Sequence, residues 1–334
     1  MKIQYHVSLK PYNSFHVDVQ ADTFVEIVSE DELKGYLATR NPKEKLLVVG
    51  DGCNLLFVHD FHGTILKMQN KGIAIVSEND YKYVKSAAGE DWDSFVRYTL
   101  ENHCYGLENL ALIPGKVGSA AVQNIGAYGR EACDFIHKVY AIDIQTNKSV
   151  VFSNEECKFA YRNSIFKQEL KGKYVITAVE FRLYAQPKPY IHYADIKQRV
   201  GIDEDVKSEK IYQVVSQIRQ EKLPDVETMG NAGSFFKNPI VDTHIYDNLQ
   251  SRYADLKSFA VSEKQCKLSA AQLIEKCGWK GKTMGKAGVY HKQPLVLINC
   301  GNAKGQEILD LAQNIQHDVF EHFGVELEME VNVI

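Results

Sequence analysis

Apolar positions change their period several times along the chain, and each change predicts an element. Leu46-Leu47-Val48-Val49 is a short apolar run closed by Gly50-Asp51-Gly52-Cys53-Asn54, the pattern of a buried strand and a tight turn. Before it, residues 12–20 read as irregular and then extended. Short strands are predicted over 64–67, 72–76 and 81–88. Trp92, Phe95, Val96, Thr99 and Leu100 then recur at helical spacing, and that helix runs out near His103-Cys104. Strands follow over 138–144 and 149–152, with a turn at Thr146-Asn147-Lys148, and again over 174–183. The last alternates, with Val175, Thr177, Val179, Phe181 and Leu183 on one face. Pro187 and Pro189 break the pattern before an aromatic loop, Tyr190-Ile191-His192-Tyr193. A polar stretch at 203–209 precedes an amphipathic helix with Ile211, Val214, Val215 and Ile218 inward and Ser208 as N-cap.

The final third continues the mixture. Residues 242–266 are polar and read as a helix and a loop. Ser269 and Gln272 have capping-box spacing before a helix that closes at Gly278. Residues 294–300 read as an apolar strand. Ile308, Leu311, Ala312, Ile315, Val319, Phe320 and Phe323 form one face of a long helix, with Gly324 at its end. Over 325–333 valines, Leu327 and Met329 alternate with Glu326, Glu328, Glu330 and Asn332, as in a strand with one wet face. Strands and helices intermingle without repeats, so the class is α+β. A length of 334 residues is enough for two or three domains.

Composition narrows the function little. The hydrophobic and charged fractions are those of an ordinary globular protein, and a net charge of −4 favours neither nucleic acid nor an anionic membrane as partner. No apolar leader pattern or membrane span is read, and the seven scattered cysteines lack CxxC spacing. A reducing, cytoplasmic setting is therefore expected. The histidines show no HxxxH or HExxH, so no metal site is predicted.

Two glycine-rich stretches carry the candidate chemistry. Residues 50–55 follow a strand, as a phosphate-cradling nest does. The pattern departs from the dinucleotide fingerprint, because Leu55 stands where a third glycine belongs and Asn70 where an acid belongs. Residues 106–129 hold Gly106, Gly115, Gly118, Gly126 and Gly129 with almost no charge. Glycine permits close approach of a ligand or of other protein backbone, and both readings are open on composition. A short helix over 117–123 has its N-terminus placed for a ligand phosphate. Ser234 lies in Gly-Ser-Phe, outside a hydrolase elbow.

The motifs GDGCNLLF at 50–57, GLENLALIPGKVGSAAVQNIGAYG at 106–129, YRNSIFK at 161–167, KLPD at 222–225, GNAGSFFKNP at 230–239 and LEMEV at 327–331 extend over nearly the whole chain. On these motifs the chain resembles the UDP-N-acetylenolpyruvoylglucosamine reductases, in their longer type I form. The resemblance implies a two-part FAD-binding domain of the vanillyl-alcohol-oxidase (PCMH-like) type plus an α+β substrate-binding domain. Its parts would be an FAD-binding subdomain at 1–70, a second at 71–218 with a tyrosine loop near 187–200, and a substrate domain at 219–334 whose last strand returns to the active site. FAD would be held non-covalently by Gly50, Gly52, Cys53, Asn54 and Leu55, and by Pro114, Gly115, Gly118, Ser119, Asn124, Gly126, Ala127, Tyr128 and Gly129.

The implied reaction is NADPH-dependent reduction of UDP-N-acetylglucosamine enolpyruvate to UDP-N-acetylmuramate, a cytosolic step of peptidoglycan precursor synthesis. Hydride from reduced FAD reaches C3 and a proton reaches C2. The matching catalytic residues are Arg162, Ser234 as proton donor, and Glu330. A guanidinium suits the carboxylate on which negative charge builds. Glu330 helps when protonated or when it polarises a donor. Tyr193, Arg219, Lys222, Asn238 and Gln293 match substrate contacts, with Tyr190 competing for the role of Tyr193. Asn332 stands where relatives carry a basic residue. A monomer is expected. A flavin oxidase of the same fold and a non-catalytic nucleotide-sugar binder are the alternative readings; the Arg162, Ser234, Glu330 set favours the reductase.

Overall fold

Burial on both faces puts the 11-residue strand Tyr174–Tyr184 at the centre of a five-stranded antiparallel sheet, in the order Ser149–Ser153, Ile136–Asp143, Tyr174–Tyr184, Tyr81–Ala87, Ile73–Glu78. The alternating set from Val175 to Leu183 is buried, and so are Ile176 and Ala178 on the opposite face. The structure, a computed structural model, describes residues 1–201 and 206–334; the polar stretch at 203–209 lies partly outside the described residues. Helix Trp92–Glu101 covers one face. Its Trp92 and Phe95 rings meet Phe181 at 5.9 and 5.0 Å, and Asp91 caps it by accepting from the Ser94 N–H. Trp92 Nε1 also donates to the Leu110 carbonyl at 2.8 Å, so the same helix anchors the loop at 106–110.

A second sheet has the order Lys2–Ser8, Gln20–Ile27, Phe61–Met68, Leu46–Val49. Helix Glu30–Thr39 buries Leu33, Tyr36 and Leu37 against Val25, Ile27, Leu66 and Met68. Sequence reading missed this helix, although Ser29 and Glu32 have N-cap spacing and Ser29 Oγ accepts from the Glu32 N–H at 3.2 Å. Ser208 is not an N-cap. It is the buried first residue of helix Ser208–Lys222, and the Lys207 carbonyl accepts the first-turn bonds from Lys210 and Ile211.

The chain divides into two compact units. One comprises Met1–Val7, Ala21–Asp51 and His62–Glu221, and contains both sheets above. The other comprises Ser8–Gln20, Gly52–Phe61 and Lys222–Ile334. In this second unit Val296–Asn299 is buried within an antiparallel sheet ordered Asn231–Ser234, Val296–Asn299, Ala287–Val289, Thr283–Met284. Helix Gly305–Phe323 packs its predicted face inward, except that Phe320 is 47% exposed. Residues 242–266 hold helix Thr243–Arg252 and most of a three-stranded sheet, Ile240–Asp242, Gln265–Leu268, Ser258–Ala260. Only half of the expected capping box forms. Ser269 Oγ accepts from the Gln272 N–H, but the Gln272 side chain bonds Asp255 and Lys257.

The two early segments belong to this unit through their backbones. The Asn231 N–H donates to the Ser14 carbonyl at 2.9 Å, and Asn299 Nδ2 donates to the Phe15 carbonyl at 2.8 Å. The expected strand over 325–333 is instead split between two partners. Residues 328–330 bond antiparallel to 235–237, whereas Asn332–Val333 pairs in parallel with Leu55–Leu56. Burial alternates from Val325 to Glu328, Met329 and Glu330 are both half-buried, Val331 is buried and Val333 is exposed.

A Cβ on Gly305 would lie 1.8 Å from the Phe57 carbonyl oxygen, whereas one on Gly324, at φ 65°, would meet nothing within 4 Å. Gly305→Ala is expected to cost about 1–3 kcal/mol by overpacking. Gly324→Ala should cost about 1–2 kcal/mol through left-handed backbone strain alone. Urea unfolding measures both. An unaffected Gly305→Ala midpoint would contradict the packing of that helix start.

Candidate functional site

In the first unit the two glycine stretches meet. A Cβ on Gly50 would sit 2.6 Å from Ser119 Oγ. Asp51 pairs with Lys116 at 3.2 Å and with Lys67 of the strand Phe61–Met68 at 3.4 Å, so a carboxylate between two ammonium groups ties Asp51 to the second stretch in a triad with one net positive charge. This triad had no motif of its own in the sequence. Helix Val117–Gln123 forms where predicted, but its first amides are spent inside the protein: Val117 N–H donates to the Glu90 carbonyl and Gly118 N–H to that of Ala88. A Cβ on Gly118 would lie 2.8 Å from the Ala88 Cβ. Asn124 is buried at φ 49°, its amide donating to Glu131 Oε2 and the Ala160 carbonyl while its Oδ1 accepts from the Cys133 N–H. Gly118 and Asn124 thus have structural reasons to be what they are. Pro114, Ser119 and Gly129 stay exposed, and Gly50, Gly115, Gly126, Ala127 and Tyr128 half-exposed, leaving an open rim along the joined loops.

Gly126–Ala127 and Arg130–Glu131 form a hairpin around Tyr128-Gly129. Both turn residues have positive φ, 48° and 83°, as a two-residue turn with both central residues left-handed requires. Arg162, itself at φ 53°, lies against this hairpin. It donates to the Gly126 carbonyl, sits 3.8 Å from Glu131 and stacks over Tyr161 at 5.1 Å. Its charge is therefore oriented, rather than loose on the surface. Tyr190 is held against the same turn, over Gly129 and under Arg130 at 4.4 Å, and Asn109 Nδ2 ties the carbonyls of Tyr128 and Tyr190. Tyr193 is 38% exposed and meets Tyr128 edge-on at 5.3 Å. Burial pushes the Tyr128 phenol up to about 12, against the opposing pull of Arg219. Arg219 donates Nε to the Leu112 carbonyl at 3.1 Å, and desolvation lowers its guanidinium from its ordinary value. Asp93 takes the Leu112 N–H and the Tyr212 hydroxyl, so two helices fix the left-handed Leu112 just before Pro114. No local pattern marked Asp93 or Asn109 for these tasks.

In the second unit Gly52 is buried at φ 67°, and a Cβ there would lie 2.1 Å from the Tyr12 carbonyl oxygen, so packing alone demands glycine. The carbonyl of half-buried Cys53 accepts from Ser14 Oγ, and Leu55 pairs with Asn332. Ser234 ends its strand after a bulge at Gly233, φ 67°. Among the described residues its hydroxyl has no hydrogen-bond partner. The next residue, Phe235, accepts the Glu330 N–H at 2.8 Å. Glu326 and Glu328 are exposed, whereas Glu330 is half-buried, which separates it from the solvated row in which it stands. Lys222 ends its helix half-buried. Asn238 Oδ1 accepts the Ala270 N–H at 3.0 Å at the start of a helix, and Gln293 Oε1 receives the Leu295 N–H at 3.4 Å. Among the described residues no group of three or more His, Cys, Asp or Glu could hold a metal ion, and no helix is long and apolar enough to cross a membrane.

Residues 224–334 match the C-terminal domain model of UDP-N-acetylenolpyruvoylglucosamine reductase, and residues 21–151 match an FAD binding domain. The UDP-N-acetylenolpyruvoylglucosamine reductase of Flavobacterium johnsoniae is 43% identical over 339 residues and 100% of both chains, and that of Pseudomonas fluorescens is 44% identical over 337 residues and 99% of each. The chain belongs to the UDP-N-acetylenolpyruvoylglucosamine reductase family. Among solved structures, the reductase of Thermus caldophilus aligns with a TM-score of 0.69 at 22% identity, covering 100% of this chain and 99% of that one. A p-cresol methylhydroxylase aligns with a TM-score of 0.52 at 11% identity, over 96% and 83%. The fold is thus α+β with FAD-binding architecture of the vanillyl-alcohol-oxidase (PCMH-like) type, as expected. As a member of the reductase family with an FAD binding domain, the protein is an FAD-containing oxidoreductase. The residues present fit that cofactor: the second stretch offers accessible main chain, and the Lys67, Asp51, Lys116 triad beside it is net positive, both suited to a diphosphate.

Because the folded Tyr128 phenol titrates above the unfolded value of about 10, stability is intact below that pH and falls as pH rises toward 12. Tyr212, also pushed up to about 12 by burial, adds to the loss. Tyr128→Phe should flatten this part of the stability curve in thermal unfolding at alkaline pH. An unchanged slope would mean that Tyr128 is not desolvated.

Proposed function

We propose that this chain catalyses the NADPH-dependent reduction of UDP-N-acetylglucosamine enolpyruvate to UDP-N-acetylmuramate through non-covalently held FAD, as a cytoplasmic monomer in peptidoglycan precursor synthesis. Beyond family membership, the supporting observation is Ser234: its hydroxyl is unspent, and the main chain beside it carries Glu330. Reduced FAD supplies the hydride that C3 of the enolpyruvyl group accepts. The Ser234 hydroxyl gives its proton to C2 and regains one from solvent. Arg162 holds the substrate carboxylate as negative charge builds there, an interaction stronger in the transition state than in the ground state. Glu330, protonated or polarising a donor, acts on the same charge. The four-stranded and five-stranded sheets of the first unit are read as the two flavin-binding subdomains. We assign to the cofactor Gly50 and the residues from Pro114 to Gly129 in the first unit, and Gly52 to Leu55 in the second.

For the nucleotide diphosphate we assign Tyr193, Arg219 and Lys222, with Asn238 and Gln293 as further polar contacts. Exposure favours Tyr193 over Tyr190, whose ring is already occupied by Gly129 and Arg130.

Under anaerobic conditions NADPH should bleach the flavin absorbance of the purified protein, and the enolpyruvyl nucleotide should restore it. Ser234→Ala should retain the bleaching and slow the restoration by about 10²–10⁴-fold. Normal restoration would remove Ser234 as proton donor. Tyr193→Phe should raise KM for the nucleotide about tenfold, the loss of one charge-assisted hydrogen bond, with little change for Tyr190→Phe. The reverse ranking would reassign the clamp.

A further inference from the structure

We infer that Asn54 is a positioning residue for Glu330, a role that rests on the catalytic reading of Glu330. Sequence resemblance groups Asn54 with the cofactor loop, but its side chain reaches 276 positions along the chain: Nδ2 donates to the Glu330 carbonyl at 3.1 Å. The contact is reciprocated, because the Asn54 carbonyl accepts from both the N–H and the Nδ2 of Asn332, each at 3.1 Å. On its other side Glu330 gives its N–H to the Phe235 carbonyl at 2.8 Å. Both main-chain polar groups of Glu330 are therefore held, one by the strand after Ser234 and one by Asn54.

The regular pairing here is only two residues long, Leu55–Leu56 beside Asn332–Val333. So short a ladder holds weakly by itself. The two asparagine side chains add bonds at the point where the segment changes partners, and they fix the place from which the Glu330 carboxylate is presented. Catalytic groups misplaced by about 1 Å lose rate steeply. Asn332, which departs from the basic residue expected there, is absorbed by the same clasp.

The test is a double-mutant cycle on FAD-saturated holoenzyme, reading the rate at which the enolpyruvyl nucleotide reoxidises the reduced flavin. Asn54→Ala should slow this step about tenfold, the scale of one lost hydrogen bond. Glu330→Gln should slow it further, and adding Asn54→Ala to Glu330→Gln should change nothing more, because Asn54 acts through Glu330. Additive slowing in the double variant overturns the inference. So does a deficit of Asn54→Ala that disappears as FAD is raised, since Asn54 would then serve the cofactor. Normal turnover by Glu330→Gln overturns the catalytic reading of Glu330 and the inference with it. If Asn54→Ala folds poorly, Asn332→Ala, which removes only the second donor to the Asn54 carbonyl, must show the same non-additivity with a smaller effect.

Discussion

Main-chain hydrogen bonds between residues 235–237 and 328–330 hold together the part of the second unit that carries Ser234 and Glu330. They run from a strand end to a segment that changes strand partners just beyond them. Since the backbone does the holding, the Ser234 hydroxyl remains unspent and the Glu330 side chain is drawn part-way out of solvent. Polar side chains close the arrangement. Lys237 pairs with Glu328 on the wet side, and Asn54 reaches Glu330 from the early loop. The first unit solves the same problem differently. Arg162 is aimed by side-chain contacts with a hairpin, and its left-handed backbone costs of order 1–2 kcal/mol that those contacts offset.

The glycines of the two loops are called for by protein packing itself. Gly52 fits under a carbonyl, Gly118 under Ala88, and Gly129 under the Tyr190 ring. Each lets chain approach chain, and the accessible rim is what remains on the outer side. The sequence pattern does not separate the two uses, because a close neighbour is equally excluded by a Cβ whether it is protein or cofactor.

Long periodic elements were legible because burial on one face leaves a repeat: the strand Tyr174–Tyr184, the helix Trp92–Glu101 and the helix Gly305–Phe323 were all anticipated. The helix Glu30–Thr39 was not, since its apolar stripe is narrow and only Ser29 and Glu32 announce it. The terminal alternation over 325–333 misled in a specific way. Period-two burial reports a covered face, but not that the covering partner changes between Met329 and Asn332. Motifs singled out Arg162 in the first unit and Ser234 and Glu330 in the second as candidates. The residues that orient their surroundings, Asn109, Asp93, Lys67 and Asn54, act on carbonyls, amides or charges far away in sequence, and no local pattern encodes such partners.

The second unit is assembled from the beginning and the end of the chain, because segments Ser8–Gln20 and Gly52–Phe61 lie among residues of Lys222–Ile334. During translation these early segments leave the ribosome long before their partners exist. At about 5–20 residues per second, the partners follow on the order of ten seconds or more later. Until then Phe15 and Phe57, both buried in the finished fold, have no native cover. The nascent protein thus carries exposed apolar side chains for most of its synthesis, the interval in which a chaperone would engage it. A fragment beginning near residue 224 would reproduce the matched C-terminal family region and still lack the strand on which its own last residues pair.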